Sequence, residues 1–265
     1  MSRVWRAGIR SQRRNEVSGS RFQGQIVVVT GASGGLGANI VAAFAAEGAR
    51  VIAADINPPA ELPERAVHRR LDVTDEDAWI ALLDGVVSEF GGVDVLVNNA
   101  GIYRPNIPFE EMPLDVWRQH FAINSDGVFL GCKHAILRMK DRGRGAIVNM
   151  GSGMSIKANP TGAAYCGSKA AVLMTTRTAA GAAGRYGVRV NAVLPGAVPT
   201  TMLMGNMEDG DTQDSFLDRM AAYSPLGRLA TPDDIARAVL FLADPANAAI
   251  SGIFIPVDGG NMPGA

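Results

Sequence analysis

Short apolar runs alternate with longer stretches of helical periodicity along most of this chain. QIVVVT (25–30), RVIAAD (50–55), AVHRRLDV (66–73), VDVLVNNA (93–100), GAIVNMG (145–151), VRVNAVLPG (188–196) and IFIPVD (253–258) are β-branched and mostly continuous in hydrophobicity. Continuous runs suit a sheet that is covered on both faces. Helical patterns fall between them at 38–49, 75–90, 114–141 with a break near Asn124, 163–185 and 232–243. The last has a defined start, with Thr231 as cap, Pro232 in the first helical position and Asp234 three residues after the cap. This alternation predicts an α/β fold with a doubly wound parallel sheet of about seven strands and helices on both faces. No linker or composition break follows residue 22, so a single domain is expected over 22–265. The segment 199–230 lacks clean periodicity and follows a strand's C-terminal end, where open parallel sheets bind ligands, so it is expected to be a substrate lid.

Three groups of residues add chemistry to this frame. TGASGGLG (30–37) stands between the first strand and the first helical run. Side chains at Gly31, Gly35 and Gly37 would obstruct the turn, the approach of a pyrophosphate to the helix N-terminus, or helix packing, so a dinucleotide site is expected there. Asp55 closes the second strand, 18 residues beyond Gly37. Its carboxylate suits the ribose hydroxyls of NAD and would repel a 2′-phosphate, and its neighbours Ala32, Ser33, Ala54 and Ile56 carry no positive charge. An ordinary strand-end turn before Asn57 and Pro58 is the plainer alternative. Tyr165 and Lys169 share one face of a helix at i,i+4, where an ammonium beside a phenol lowers the phenol's pKa and makes it an acid/base. Such a pair also arises by chance, so its weight depends on the residues around it.

A hydrophobic content of 47% with 19% charged residues is ordinary for a globular chain with a large core. Residues 1–21 hold six Arg and one Glu and are read as a basic, disordered extension without functional weight. Neither a membrane-length apolar run nor the apolar core of a signal peptide is visible, so a cytoplasmic protein is expected, with no membrane partner. The folded body is net acidic, which argues against a nucleic-acid partner. Cys132 and Cys166 are too few for a disulfide framework, and His68, His120 and His134 lack metal-ligand spacing, so no metal is expected. Cys166, beside Tyr165, is read as a small packed hydrophobe.

TGASGGLG, NNAG (98–101), Ser152, Tyr165 with Lys169, and PGAVPT (195–200) together resemble the motif set of the short-chain dehydrogenase/reductase family, in order and spacing, over about residues 22–260. The resemblance implies a Rossmann fold and a catalytic set of Asn124, Ser152, Tyr165 and Lys169. In that set Tyr165 is the acid/base, and Lys169 lowers its pKa and holds the nicotinamide ribose. Ser152 binds the reacting oxygen, and Asn124 holds a relay water. Cofactor contacts are implied for Gly31, Ser33, Gly34, Gly35, Leu36, Gly37, Asp55, Asp72, Val73, Asn98, Ala100, Gly101, Pro195, Gly196, Val198 and Thr200, with NAD as cofactor. Many members carry two serines where this chain has Gly151 and Ser152.

The implied reaction is hydride transfer between a secondary alcohol and a ketone. The substrate is expected to be apolar or cyclic, hydroxysteroid-like for instance, against Ile102, Tyr103, Met154, Asn159, Pro160, Met202, Met204 and Met207, although the methionines would equally suit lid packing. The Ala-rich helix 163–185, with Gly181 and Gly184 inside it, implies close packing and agrees with a homotetramer. Two rival readings are an NADPH-dependent 3-oxoacyl-carrier-protein reductase, which Asp55 opposes, and a non-catalytic NAD-sensing protein, which the complete catalytic set opposes.

Overall fold

The computed structural model describes residues 20–262. Most of the basic extension lies outside the described residues, but its end does not. Arg21 pairs with Glu47 at 2.6 Å, and Phe22 is fully buried against Phe44, so these two residues belong to the packed body.

Seven strands form one parallel sheet: β1 Ile26–Thr30, β2 Arg50–Asp55, β3 Ala66–Arg70, β4 Val95–Asn98, β5 Gly145–Met150, β6 Val188–Pro195 and β7 Phe254–Val257. Their order is β3-β2-β1-β4-β5-β6-β7, so the winding reverses between β1 and β4. That reversal opens a crevice at the carboxyl ends of the two strands. Both faces of the sheet are covered. Helices α1 (Gly35–Ala46) and α8 (Pro232–Ala243) pack on one face, and α2 (Glu76–Phe90), α4 (Gly127–Met139) and α5 (Ala163–Ala183) pack on the other. This double cover explains the continuous apolar runs. The central strands β1 and β4 are buried at every position.

Several element ends follow directly from side-chain chemistry. Thr231 and Asp234 form a reciprocal capping box at the start of α8, with Pro232 in the first turn. At its other end, the Arg189 guanidinium from β6 donates to the carbonyls of Leu242, Ala243 and Asp244 at 2.7–3.1 Å, satisfying helix-end acceptors that burial denies to water. Asp75 caps α2, and Trp79, fully buried, donates its indole N–H to Val73 O at 3.0 Å.

Four expectations are corrected. The expected helix break near Asn124 is a wide π-turn, Ala122–Asp126, that carries α3 (Leu114–Phe121) into α4 without leaving helical backbone angles. β3 stops at Arg70, short of residue 73, because Asp72 turns the chain by accepting from the Thr74 N–H and hydroxyl. The segment 199–230 is partly helical, with α6 (Thr201–Met204) and α7 (Gln213–Ala221), each capped by a threonine. In and just after α5, nothing in this chain lies within 4 Å of a Cβ placed on Gly181 or Gly184, so the expected close packing is not made within this chain. The glycine pressed by neighbours in that helix is Gly167, against Trp117 and Phe121 of α3.

Candidate active site

A cleft of about 880 Å³ opens at the β1/β4 switch point and runs from Asp55 to the 199–230 segment. Its first wall is the glycine turn. Gly31 has φ +64, and a Cβ there would come within 2.7 Å of the Ala100 Cα; one on Gly37 would collide with the Gly31 carbonyl oxygen. These two glycines let β1, the turn and the β4 end nest together. Thr30 Oγ1 accepts from the Asn99 and Ala100 amides, and Asn99 Nδ2 donates to the Thr30 and Gly31 carbonyls, all at 3.0 Å.

Gly34 and Gly35 differ in having nothing within 4 Å of an added Cβ, and both line the cleft. The α1 N-terminus has no side-chain cap, so its first amides have no side-chain acceptor. Open space before bare amides at a helix N-terminus fits a dinucleotide pyrophosphate. At the same end, Asp55 accepts from the Ser33 amide through Oδ2 and from the Asn57 amide through Oδ1, both at 3.0 Å. The carboxylate is thereby fixed in the cleft wall. Arg70 stands opposite it in register on β3, a basic neighbour that reading along the chain near Asp55 misses.

The far end of the cleft holds the candidate catalytic side chains. Ser152, after β5, accepts the Met154 amide at 3.1 Å, which leaves its hydroxyl hydrogen free to donate. Tyr165 and Lys169 emerge from the first turns of α5, as the i,i+4 spacing predicts. Lys169 is buried, its Nζ donating to Met150 O at 2.7 Å and lying 5.8 Å from the Tyr165 ring centre. Asn124 sits in the π-turn. Its Oδ1 accepts from Ile102 N at 2.8 Å, and its Nδ2 donates to Ile102 O and Ser168 Oγ at 3.0 Å. A Cβ added to Gly101 would lie 3.1 Å from Asn124 Oδ1 and 3.3 Å from Lys169 Nζ, so these two groups flank one point.

The electrostatics correct the simple pair argument. Burial pushes the Tyr165 phenol up to about 12, with the Ser152 hydrogen bond drawing it partly back. The ammonium meant to lower it is itself desolvated, and Lys169 falls to about 8. The phenol is therefore a proton holder.

Other expected residues lie elsewhere. Asn98 points into the sheet, donating to Asn149 Oδ1 at 2.8 Å beneath α4, and its neighbour Asn99 faces the cleft instead. Asp72 is engaged by Thr74, and Val73 packs against Gly127; neither lines the cleft. Ser33, within the glycine turn, and Gly37, in the first turn of α1, do not line the cleft, and the Ser33 hydroxyl donates to Asn57 O. Gly31, Gly34, Gly35, Leu36, Asp55, Ala100, Gly101, Pro195, Gly196, Val198 and Thr200 all line it. On the substrate side Tyr103, Met154, Asn159, Pro160 and Met202 are in the wall, whereas Ile102, Met204 and Met207 are not. In their place Phe216, Arg219, Met220 and Tyr223 enter from α7 and the turn after it, together with Met262. The spacing 216, 219, 220, 223 is a helical face that was available in the sequence.

A glycine-lined groove at a sheet switch point that leads to a serine, a tyrosine and a lysine defines a nicotinamide-dependent oxidoreductase. Comparison with known proteins agrees. A family profile described as enoyl-(acyl carrier protein) reductase, of the short-chain alcohol dehydrogenase type, matches residues 31–261. The chain is 40% identical to cis-4-hydroxycyclohexanecarboxylate dehydrogenase of Sinomonas cyclohexanicum, over 91% of this chain and 98% of that one. It is 41% identical to D-threitol dehydrogenase of Mycolicibacterium smegmatis, over 91% and 94%. The ligand-free aldohexose dehydrogenase of Thermoplasma acidophilum superposes with a TM-score of 0.86 at 32% identity, covering 92% of this chain and 96% of that one. The chain belongs to the short-chain dehydrogenase/reductase family. It is an enzyme of the CH–OH group that interconverts a secondary alcohol and a ketone with a nicotinamide cofactor.

Proposed function

We propose that this protein is an NAD(H)-dependent dehydrogenase oxidising a secondary hydroxyl on a largely apolar, cyclic substrate, and that it works in the cytoplasm as a homotetramer. The observation that carries the reading is the span of the cleft, with the Asp55 carboxylate at one end and Ser152, Tyr165 and Lys169 at the other. NAD rather than NADP is supported by the two amide bonds that fix the Asp55 side chain in the cleft wall as an acceptor for ribose hydroxyls.

Gly34, Gly35 and the α1 amides would hold the pyrophosphate, and Asp55 the adenosine ribose. Lys169, with one proton spent on Met150 O, keeps two donors for the nicotinamide ribose. When bound, the cofactor supplies a hydride acceptor at its nicotinamide ring. Ser152 donates to the alcohol oxygen, holding it beside the Tyr165 hydroxyl. As the phenolate, its own proton given up to solvent, Tyr165 takes the alcohol proton in oxidation; as the phenol it returns that proton in reduction. Asn124, tied to Ile102 and Ser168, fixes the strand-to-loop segment at Gly101 beside Lys169. The 199–230 segment covers the substrate end, with α7 presenting Phe216 and Met220.

An apolar substrate is supported by Met154, Met202, Leu203, Phe216, Met220 and Met262 in the wall. The relatives named for a cyclohexane alcohol and a sugar alcohol fit a compact alcohol substrate. A tetramer is supported by exposed Phe129 and Leu137 on α4 and Met174 on α5, beside the open Gly181 and Gly184 positions. The two free cysteines agree with a reducing compartment. Cofactor titration with NAD and NADP, with cyclic alcohols as substrates and absorbance at 340 nm as readout, tests the reaction. A preference for NADP, or a monomeric mass at micromolar concentration, would reject the corresponding part.

A further inference from the structure

The catalytic phenol has a second phenol against it. The Tyr103 and Tyr165 rings lie 4.5 Å apart between centres at 40°, and both line the cleft. The Tyr103 hydroxyl accepts from Asn159 Nδ2 at 3.2 Å. The sense of that bond is fixed by the rest of the Asn159 amide, because Oδ1 receives the Thr161 backbone N–H and contacts Thr161 Oγ1, both at 3.1 Å. A backbone N–H can only donate, so Oδ1 is the acceptor end and Nδ2 must face the phenol. The Tyr103 oxygen therefore spends a lone pair on Asn159, and its own hydrogen has no acceptor among the described residues.

The loop is held in this arrangement. Ile107 N donates to Thr161 O at 3.1 Å, which ties the Tyr103 segment to the Asn159 turn. Gly162 leaves the hydroxyl uncrowded, since a Cβ there would stand only 3.2 Å from it. Burial raises the Tyr103 pKa above its ordinary value, so the group remains a protonated donor at working pH.

We propose that Tyr103, oriented by Asn159, donates a hydrogen bond to a second oxygen of the substrate while Ser152 and Tyr165 engage the reacting one. The substrate class is then an alcohol that carries another hydroxyl, carbonyl or carboxylate oxygen on the same compact skeleton, rather than a hydrocarbon with one hydroxyl. This rests on the dehydrogenase reading above and narrows it. A binding site built to hydrogen-bond a substrate oxygen discriminates strongly against the analogue that lacks it, because the site's own polar group is left unmet.

The test measures kcat/KM with NAD for cyclohexanol and for the cyclohexane-1,2-, 1,3- and 1,4-diols, in wild type and in Tyr103→Phe, which keeps the ring contact with Tyr165. We expect at least one diol to exceed cyclohexanol by about tenfold or more in wild type. Tyr103→Phe should lower kcat/KM for that diol about tenfold more than for cyclohexanol, mainly through KM. Cyclohexanol matching every diol in wild type, or a loss in Tyr103→Phe that is equal across all four, would overturn the second-oxygen assignment and leave the dehydrogenase reading standing. Turnover of none of the four would overturn the cyclic-alcohol reading itself, and this assignment with it.

Discussion

Replacing Asp55 by asparagine keeps the side chain's shape and removes its charge at the place where NAD and NADP differ. A 2′-phosphate carries a charge of about −1.5 to −2 near neutral pH. At about 5 Å and an effective dielectric of about 20, each unit of that charge repels a carboxylate by roughly 3 kcal/mol. The site is partly open to solvent, and at physiological salt the Debye length is about 8 Å, so roughly half survives, giving about 2–3 kcal/mol, or 30- to 150-fold. Asparagine also loses one of the two bonds to Ser33 N and Asn57 N, at about 1 kcal/mol. That cost falls on both cofactors and cancels in their ratio. Arg70, opposite on β3, is present in both proteins and is not changed by the substitution. The assay is kcat/KM for NAD divided by kcat/KM for NADP, with one alcohol at a fixed salt concentration. Asp55→Asn should lower this ratio at least 30-fold. A ratio changed less than about threefold would refute the electrostatic reasoning, because the carboxylate charge is what the substitution removes.

Three other substitutions separate function from stability. Burial holds Lys169 near 8 against an ordinary 10.5, so below pH 8 the fold carries a charge that it would sooner shed, a cost of roughly 3 kcal/mol. Because the folded pKa is the lower one, this cost is full at pH 7 and fades as pH rises from 8 toward 10.5. Lys169→Met should therefore abolish turnover yet raise Tm by a few degrees at pH 7, after about 1 kcal/mol is returned for the lost bond to Met150 O, with the advantage gone near pH 10.5; thermal melts across that range check it. In the glycine turn, Gly34→Ala should leave Tm nearly unchanged while weakening NAD binding at least tenfold, since its Cβ enters open cleft, whereas Gly37→Ala should cost several degrees of Tm because its Cβ meets the Gly31 carbonyl. Calorimetric titration with NAD, beside thermal melts of both variants, tells the two effects apart.

The sheet was legible because burial on both faces leaves its mark on single strands, as in IVVVT and VLVN, where every position but the closing Thr30 or Asn98 is apolar. The glycine turn and the Tyr165/Lys169 pair were legible because local geometry carries their meaning. What was not legible depends on direction and on distant partners. Whether Asn98 or Asn99 faces the cleft is a matter of which side of β4 each leaves, and both faces of that strand are covered. Arg70 comes beside Asp55 only through strand pairing, and Met262 reaches the cleft only because the chain after β7 folds back over Gly153. Helix α7 is harder to read, since its Gly- and Asp-rich flanks mask the spacing of Phe216, Met220 and Tyr223. The phenol's rise to about 12 was not accessible from spacing, because it follows from how much protein surrounds both side chains rather than from their separation.

The central claim is that Tyr165 moves the proton in an NAD-linked oxidation of a secondary alcohol. Its most direct test is reduction of NAD at 340 nm by wild type and by Tyr165→Phe with the same cyclic alcohol. The account predicts clear turnover by wild type and a loss of about 10²–10⁴-fold in kcat for the variant, with the fold intact by circular dichroism. A variant that keeps more than about a tenth of the wild-type rate would contradict it, because a phenyl ring can neither accept nor return the proton.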